Sequence, residues 1–104
     1  MTRIGGQIMS IEEIIHEKSG EIRRIAAKHG AFNVRIFGSV ARGDARSDSD
    51  LDFLVDMEPG RSLLDLAGLA LALEDALGRD VDVITPEGLR LRIREQVLND
   101  SVPL

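Results

Sequence analysis

Three short β-rich runs set between helix-patterned stretches constrain this chain more than any other feature. The runs are Asn33–Phe37 (NVRIF), Leu51–Val55 (LDFLV) and Val81–Ile84 (VDVI). Before the first, Ile11, Ile14, Ile15, Ile22, Ile25 and Ala26 recur at helical spacing. Ser10 reads as their N-cap, with Glu13 as its capping-box partner. This helix should run from about Ile11 to His29, soften at Gly20 and stop at Gly30. A single helical turn is expected near Ser39. Ser62 caps another helix that runs to Leu77 and ends at Gly78. Thr85 followed by Pro86 reads as a cap with an N1 proline, opening a last helix that reaches about Leu98. The order α-β-α-β-α-β-α defines an α/β (or α+β) chain with a small three-stranded sheet.

A chain of 104 residues makes one domain. Residues 1–9, with a Gly-Gly pair and no period, read as a loose lead-in to a single domain over 10–104. Folding at this size hides roughly 65% of the unfolded chain's surface, enough for one modest core. Cysteine is absent, which excludes disulfides and thiolate chemistry. Any metal must be held by oxygen or by His16 and His29, and both histidines lie on or near the first helix, remote from the acidic segment. No apolar run reaches the ~18 residues of a membrane span and the start does not read as a signal peptide, so a cytoplasmic location is the default expectation. The net charge of −5 and three aromatic residues argue against a nucleic-acid surface. Residues 38–60 alone carry six acids and two bases, so the acidity is concentrated in the middle.

That middle reads Gly38-Ser39-Val40-Ala41-Arg42-Gly43-Asp44-Ala45-Arg46-Ser47-Asp48-Ser49-Asp50-Leu51-Asp52. Residues two apart on a strand share a face, so Asp50 and Asp52 project side by side, with Cα atoms roughly 6.5–7 Å apart. Two carboxylates so close repel unless a cation sits between them. Hard oxygen donors suit Mg²⁺ or Mn²⁺. Gly38 lets backbone approach a ligand closely, and Ser39 at the start of a helical turn favours a phosphate. Arg42 and Arg46 are within local reach of that phosphate, or are plain surface residues. Asp82 sits inside the third strand between two valines, an odd place for a merely structural aspartate. If that strand neighbours the second, Asp82 can ligate the metal or accept a proton from an attacking hydroxyl. Asp80 has the same facing but lies at the strand edge, which favours Asp82.

The string GSVARGDARSDSDLDFLV, with a later aspartate on a strand, resembles the minimal nucleotidyltransferases of the DNA polymerase beta superfamily. The resemblance implies a small mixed sheet flanked by helices, two Mg²⁺ ions and a nucleoside triphosphate, usually ATP. It implies that Gly38 and Ser39 bind phosphate, that Asp50 and Asp52 bind metal, and that Asp82 is the third catalytic carboxylate. It further implies an antitoxin encoded beside a HEPN-domain toxin, silencing it by moving AMP from ATP to a tyrosine hydroxyl. Two rivals stand beside this reading: an antitoxin that neutralises by binding alone, and an antibiotic nucleotidyltransferase, for which the chain is too short to wall a sugar pocket by itself.

The same residues admit blander readings. An acidic solvated loop would not need the Gly-Ser turn upstream or the apolar strand around Asp52. An EF-hand opening at Asp48 fails because Phe53 and Pro59 stand where glycine and glutamate are required. Asp44, Asp48 and Gly43 read as turn formers. From Ser62 to Leu77, 11 of 16 residues are Leu or Ala, apolar almost all round. That points to a protein–protein surface, a toxin or a second copy of the chain, unless the first and last helices cover the excess. The last helix carries Leu89, Ile93 and Val97 on one stripe, with Arg90, Arg92 and Arg94 around it.

Overall fold

The computed structural model describes residues 11–42, 50–89 and 91–104. In chain order these form α1 (Ile11–Lys28), β1 (Ala31–Phe37), α2 (Ser39–Arg42), β2 (Leu51–Met57), α3 (Leu63–Leu77) and β3 (Val81–Ile84). A 3-10 turn (Pro86–Gly88), α4 (Leu91–Asp100) and β4 (Val102–Pro103) follow. The strands make one mixed sheet in the order β3-β2-β1-β4. β1 is antiparallel to both β2 and β4, while β2 and β3 run parallel. A parallel pair needs a crossover, and α3 supplies it.

The core follows from the strand alternation. Val34, Ile36, Leu51, Phe53, Val55, Val81 and Val83 point to one face and pack with Ile15, Ile22 and Ala26 of α1 and Leu69 and Leu73 of α3. Phe53, Val55, Ile22, Leu69 and Leu73 are essentially inaccessible to water. Arg35, Phe37, Asp52, Leu54, Asp56, Asp82 and Ile84 alternate with these and so belong to the reverse face. α1 continues through Gly20 without a break and ends at Lys28, and the turn that follows contains Gly30 at φ +77°. Ser62 and Asp65 form the reciprocal capping box that starts α3: the Leu64 N–H donates to Ser62 Oγ at 3.2 Å, and the Ser62 N–H donates to Asp65 at 2.9 Å. The α3 end is closed by Gly78 in the left-handed region.

Two expectations need correction. The sheet has four strands, because Val102–Pro103 pairs with Ile36 and Arg35; two residues, one of them a proline, carry no readable strand signal. The last helix does not start at Pro86. Thr85 makes no side-chain cap, the chain forms one 3-10 turn, and Leu89 is extended before α4 begins. Leu89 is buried outside the helix while Ile93 is exposed, so the expected apolar stripe is split between two elements. The apolar excess of α3, by contrast, stays uncovered, as its composition led one to expect. Leu63, Leu64 and Leu71 are 82%, 84% and 66% exposed, whereas Leu69 and Leu73 face the core. Ser10, and with it the expected α1 cap, lies outside the described residues, as do Gly43, Asp44 and Asp48. Among the described residues, no helix is long and apolar enough to cross a membrane.

Candidate active site

The site is built where β1 ends and β2 and β3 begin. β2 opens at Leu51, whose N–H donates to the Asp80 carbonyl at 3.1 Å, fixing the entry of β2 beside β3. From there the register is continuous across three strands: Phe37 stands opposite Asp52, and Asp52 opposite Asp82. Neighbouring strands lie about 4.8 Å apart, so the Asp52 and Asp82 side chains leave the same face of the sheet as immediate neighbours. Like charges directly opposite on a sheet are unfavourable. Leu51, Phe53, Val81 and Val83 point the other way, into the core, and hold both strands rigidly.

Gly38 closes the site on the β1 side. Its φ of +77° bends the chain from strand into α2. A Cβ built there would collide with the Asp52 carboxylate, coming to 3.2 Å from its Cγ as well. The glycine is therefore required twice, by conformation and by the close approach of a carboxylate. Of the expected phosphate-binding positions, Ser39 is the first residue of α2 and Arg42 the last. Arg46 lies outside the described residues. Asp50 precedes β2 and is exposed, while Asp52 is half-buried and Asp82 exposed. Asp80 is not part of β3; its carbonyl is engaged with Leu51.

The donor set fits a hard divalent cation. Asp50, Asp52 and Asp82 offer only carboxylate oxygens, two of them as register partners on one face. Among the described residues, no three Asp, Glu or His side chains converge closely enough to hold an ion alone. His16 and His29 are not in this set. His29 Nδ1 donates to the Ile25 carbonyl at 2.9 Å and its ring packs on Gly68. His16 lines a separate apolar cavity of about 370 Å³ with Ile15, Arg23, Ile36, Val40 and Val102. That cavity is lined from α1 by Glu12, Ile15, His16, Ser19 and Arg23 and includes none of Asp50, Asp52 or Asp82.

One polar group on the carboxylate face carries no motif of its own in the sequence. Asn33, Arg35 and Asp56 form a hydrogen-bonded cluster further along β1 and β2. In the structure the cluster coincides with a break in alternation: Ala31 and Val34, three residues apart, are both buried.

A mixed sheet carrying a glycine turn and paired aspartates at one end defines a phosphoryl- or nucleotidyl-transfer class of protein. The comparisons agree: residues 10–104 match the nucleotidyltransferase domain, and the chain belongs to that family, among its minimal nucleotidyltransferases. It is 41% identical over 88 residues to MJ0435 of Methanocaldococcus jannaschii, which is named as a protein adenylyltransferase; the match covers 85% of this chain and 95% of that protein. It is 35% identical to the protein adenylyltransferase MntA of Thermococcus cleftensis, over 91% of this chain and 96% of that one. A solved structure described as a minimal nucleotidyltransferase superposes with a TM-score of 0.81 at 52% identity, covering 95% of this chain and all of that one. The fold is also shared with a toxin–antitoxin structure containing AMP-PNP, at a TM-score of 0.69 and 22% identity, over 81% of this chain and 69% of that one.

Proposed function

We propose that this chain is a Mg²⁺-dependent protein adenylyltransferase that acts as an antitoxin, moving AMP from ATP to a tyrosine hydroxyl of a HEPN-domain toxin. The observation that carries the reading is the rung Phe37–Asp52–Asp82 with Gly38 folded against the Asp52 carboxylate. It sets a backbone turn able to cradle phosphate directly beside paired carboxylates. The names of the relatives support a protein acceptor, and the solved toxin–antitoxin relatives support a toxin partner.

In this reading, Gly38 and Ser39 hold the triphosphate through the turn, and Arg42 and Arg46 offset its charge. Asp50 and Asp52 hold Mg²⁺, or Mn²⁺ in its place, and Asp82 either joins them or takes the proton of the acceptor hydroxyl. A bound Mg²⁺ supplies charge neutralisation and Lewis-acid polarisation of the phosphate. The acceptor oxygen attacks the α-phosphorus in line, the bond to the bridging oxygen breaks, and pyrophosphate leaves. Purified chain, ATP, Mg²⁺ and the HEPN partner should yield a partner heavier by one or more AMP units. Chelation of the metal, or replacement of the acceptor tyrosine by phenylalanine, should remove the gain. A stable complex with no gain would instead favour neutralisation by binding alone.

A further inference from the structure

β1 carries one more residue than the stretch of β2 it faces. Ala31 stands opposite Met57 and Phe32 opposite Asp56, but Arg35 stands opposite Leu54 and Phe37 opposite Asp52. Asn33 and Val34 together therefore face Val55, a β-bulge. The burial of β1 shows the same slip: Ala31 is buried, Phe32 and Asn33 are both exposed, and Val34 is buried. Without the extra residue, Ile36 rather than Phe37 would stand opposite Asp52. Every β1 side chain beyond the bulge would then change face, and Gly38 would miss the Asp52 carboxylate.

The bulge is clasped by three side chains. Asn33 has φ +52°, the left-handed region that asparagine tolerates better than most residues. Asn33 Nδ2 donates to Asp56 Oδ2 at 2.9 Å, and Arg35 Nη2 donates to Asp56 Oδ1 at 3.0 Å. Arg35 Nε donates back to the Asn33 carbonyl at 3.0 Å. One β2 carboxylate thus grips both flanks of the β1 bulge, and the Arg35 side chain is only 13% exposed. Asp56 lies four residues beyond Asp52 on the same strand face, roughly 13 Å along β2, too far to touch the same reacting atoms.

We propose that Asn33, Arg35 and Asp56 are positioning residues: they clasp the β1–β2 bulge and thereby set the register that seats Gly38 against Asp52. The inference rests on the adenylyl-transfer reading for its kinetic consequence, but its structural consequence is independent of that reading.

The test uses the full chain, with Asp56→Ala removing both grips, Asn33→Val opposing the left-handed backbone and Asn33→Gly restoring it. Two quantities are read: kcat for AMP transfer, and the interstrand NOE joining the Phe37 and Asp52 backbones. Folded Asp56→Ala should lose about 10- to 100-fold in kcat. Its Phe37–Asp52 NOE should weaken in favour of Ile36–Asp52. Asn33→Val should behave alike, and Asn33→Gly, which restores the backbone conformation but not the hydrogen bond to Asp56, should recover only part of the wild-type signal. A merely stabilising cluster would move the melting temperature and leave the NOE pattern alone. Wild-type kcat with an intact NOE in folded Asp56→Ala would overturn the proposal. If that variant does not fold, indistinguishable kcat and NOE values in Asn33→Val and Asn33→Gly would overturn it instead. If the wild type transfers no AMP, it is the proposed function that fails, and the NOE comparison still decides the clasp.

Discussion

Gly38 is the residue on which the geometry of the site turns. Its φ of +77° disfavours any side chain, and a methyl group there would push the Asp52 carboxylate out of its place. Gly38→Ala should therefore lower AMP transfer by about 100-fold. It should also lower the melting temperature by about 5–10 °C, since a non-glycine residue in the left-handed region costs about 1–2 kcal/mol. Rate assays and calorimetry on the purified variant check both. Asp82 should behave oppositely in stability. It is exposed, and its neighbour across the strand pair is another carboxylate. Asp82→Asn should keep the melting temperature level, or raise it by a few degrees, in metal-free buffer while transfer collapses. A large fall in melting temperature would mean the carboxylate is structural. The turn at Gly38 and the facing of Asp52 were legible in the sequence because residue type and strand period dictate them, whereas Asp50 falls just outside β2 and the same-face pair is Asp52 with Asp82. The contact between Gly38 and Asp52 was not legible, since it depends on a strand register no local pattern prints.

Elements that begin and end with side-chain signals were the ones readable in advance. Ser62 and Gly78 bracket α3 as their types require, and β3 has the expected bounds. Ser62→Ala should cost about 1 kcal/mol, or about 4–8 °C in melting temperature, measured by thermal unfolding. The same box has a pH signature. The Ser62 backbone N–H, chiefly, and then Arg61 hold the Asp65 carboxyl below its ordinary value of 3.8. A depressed folded-state value means the contribution is complete above the unfolded value and is lost as pH falls through the folded one. Wild type and Asp65→Ala should therefore differ in melting temperature near neutrality and converge below pH 3.8. A constant difference down to pH 2 would contradict the assignment. The elements that departed from expectation share a cause of another kind. β1 begins two residues before its β-rich core, α4 starts late, and β4 has no signal of its own, because each is fixed by pairing or packing rather than by its own residues.

For the molecule as a whole, one core holds the site still. Leu73 of α3 is fully buried against the face of the sheet opposite the carboxylates. Leu73→Ala should destabilise the fold by about 2–5 kcal/mol, a large share of what a domain this small possesses. Denaturant titration checks this, and transfer by the folded fraction should survive. The order of helices and strands predicted the layered α/β class because alternating periods admit few other packings. Which strands neighbour one another was open until Asp52 and Asp82 were seen side by side. The central claim is that this end of the sheet transfers AMP. The most direct measurement is intact mass spectrometry of the proposed HEPN-domain partner after incubation with ATP, Mg²⁺ and either wild-type chain or folded Asp50→Asn or Asp52→Asn. The account predicts a gain of one or more AMP masses with wild type and none with either variant. An equal gain with a folded aspartate variant would contradict it.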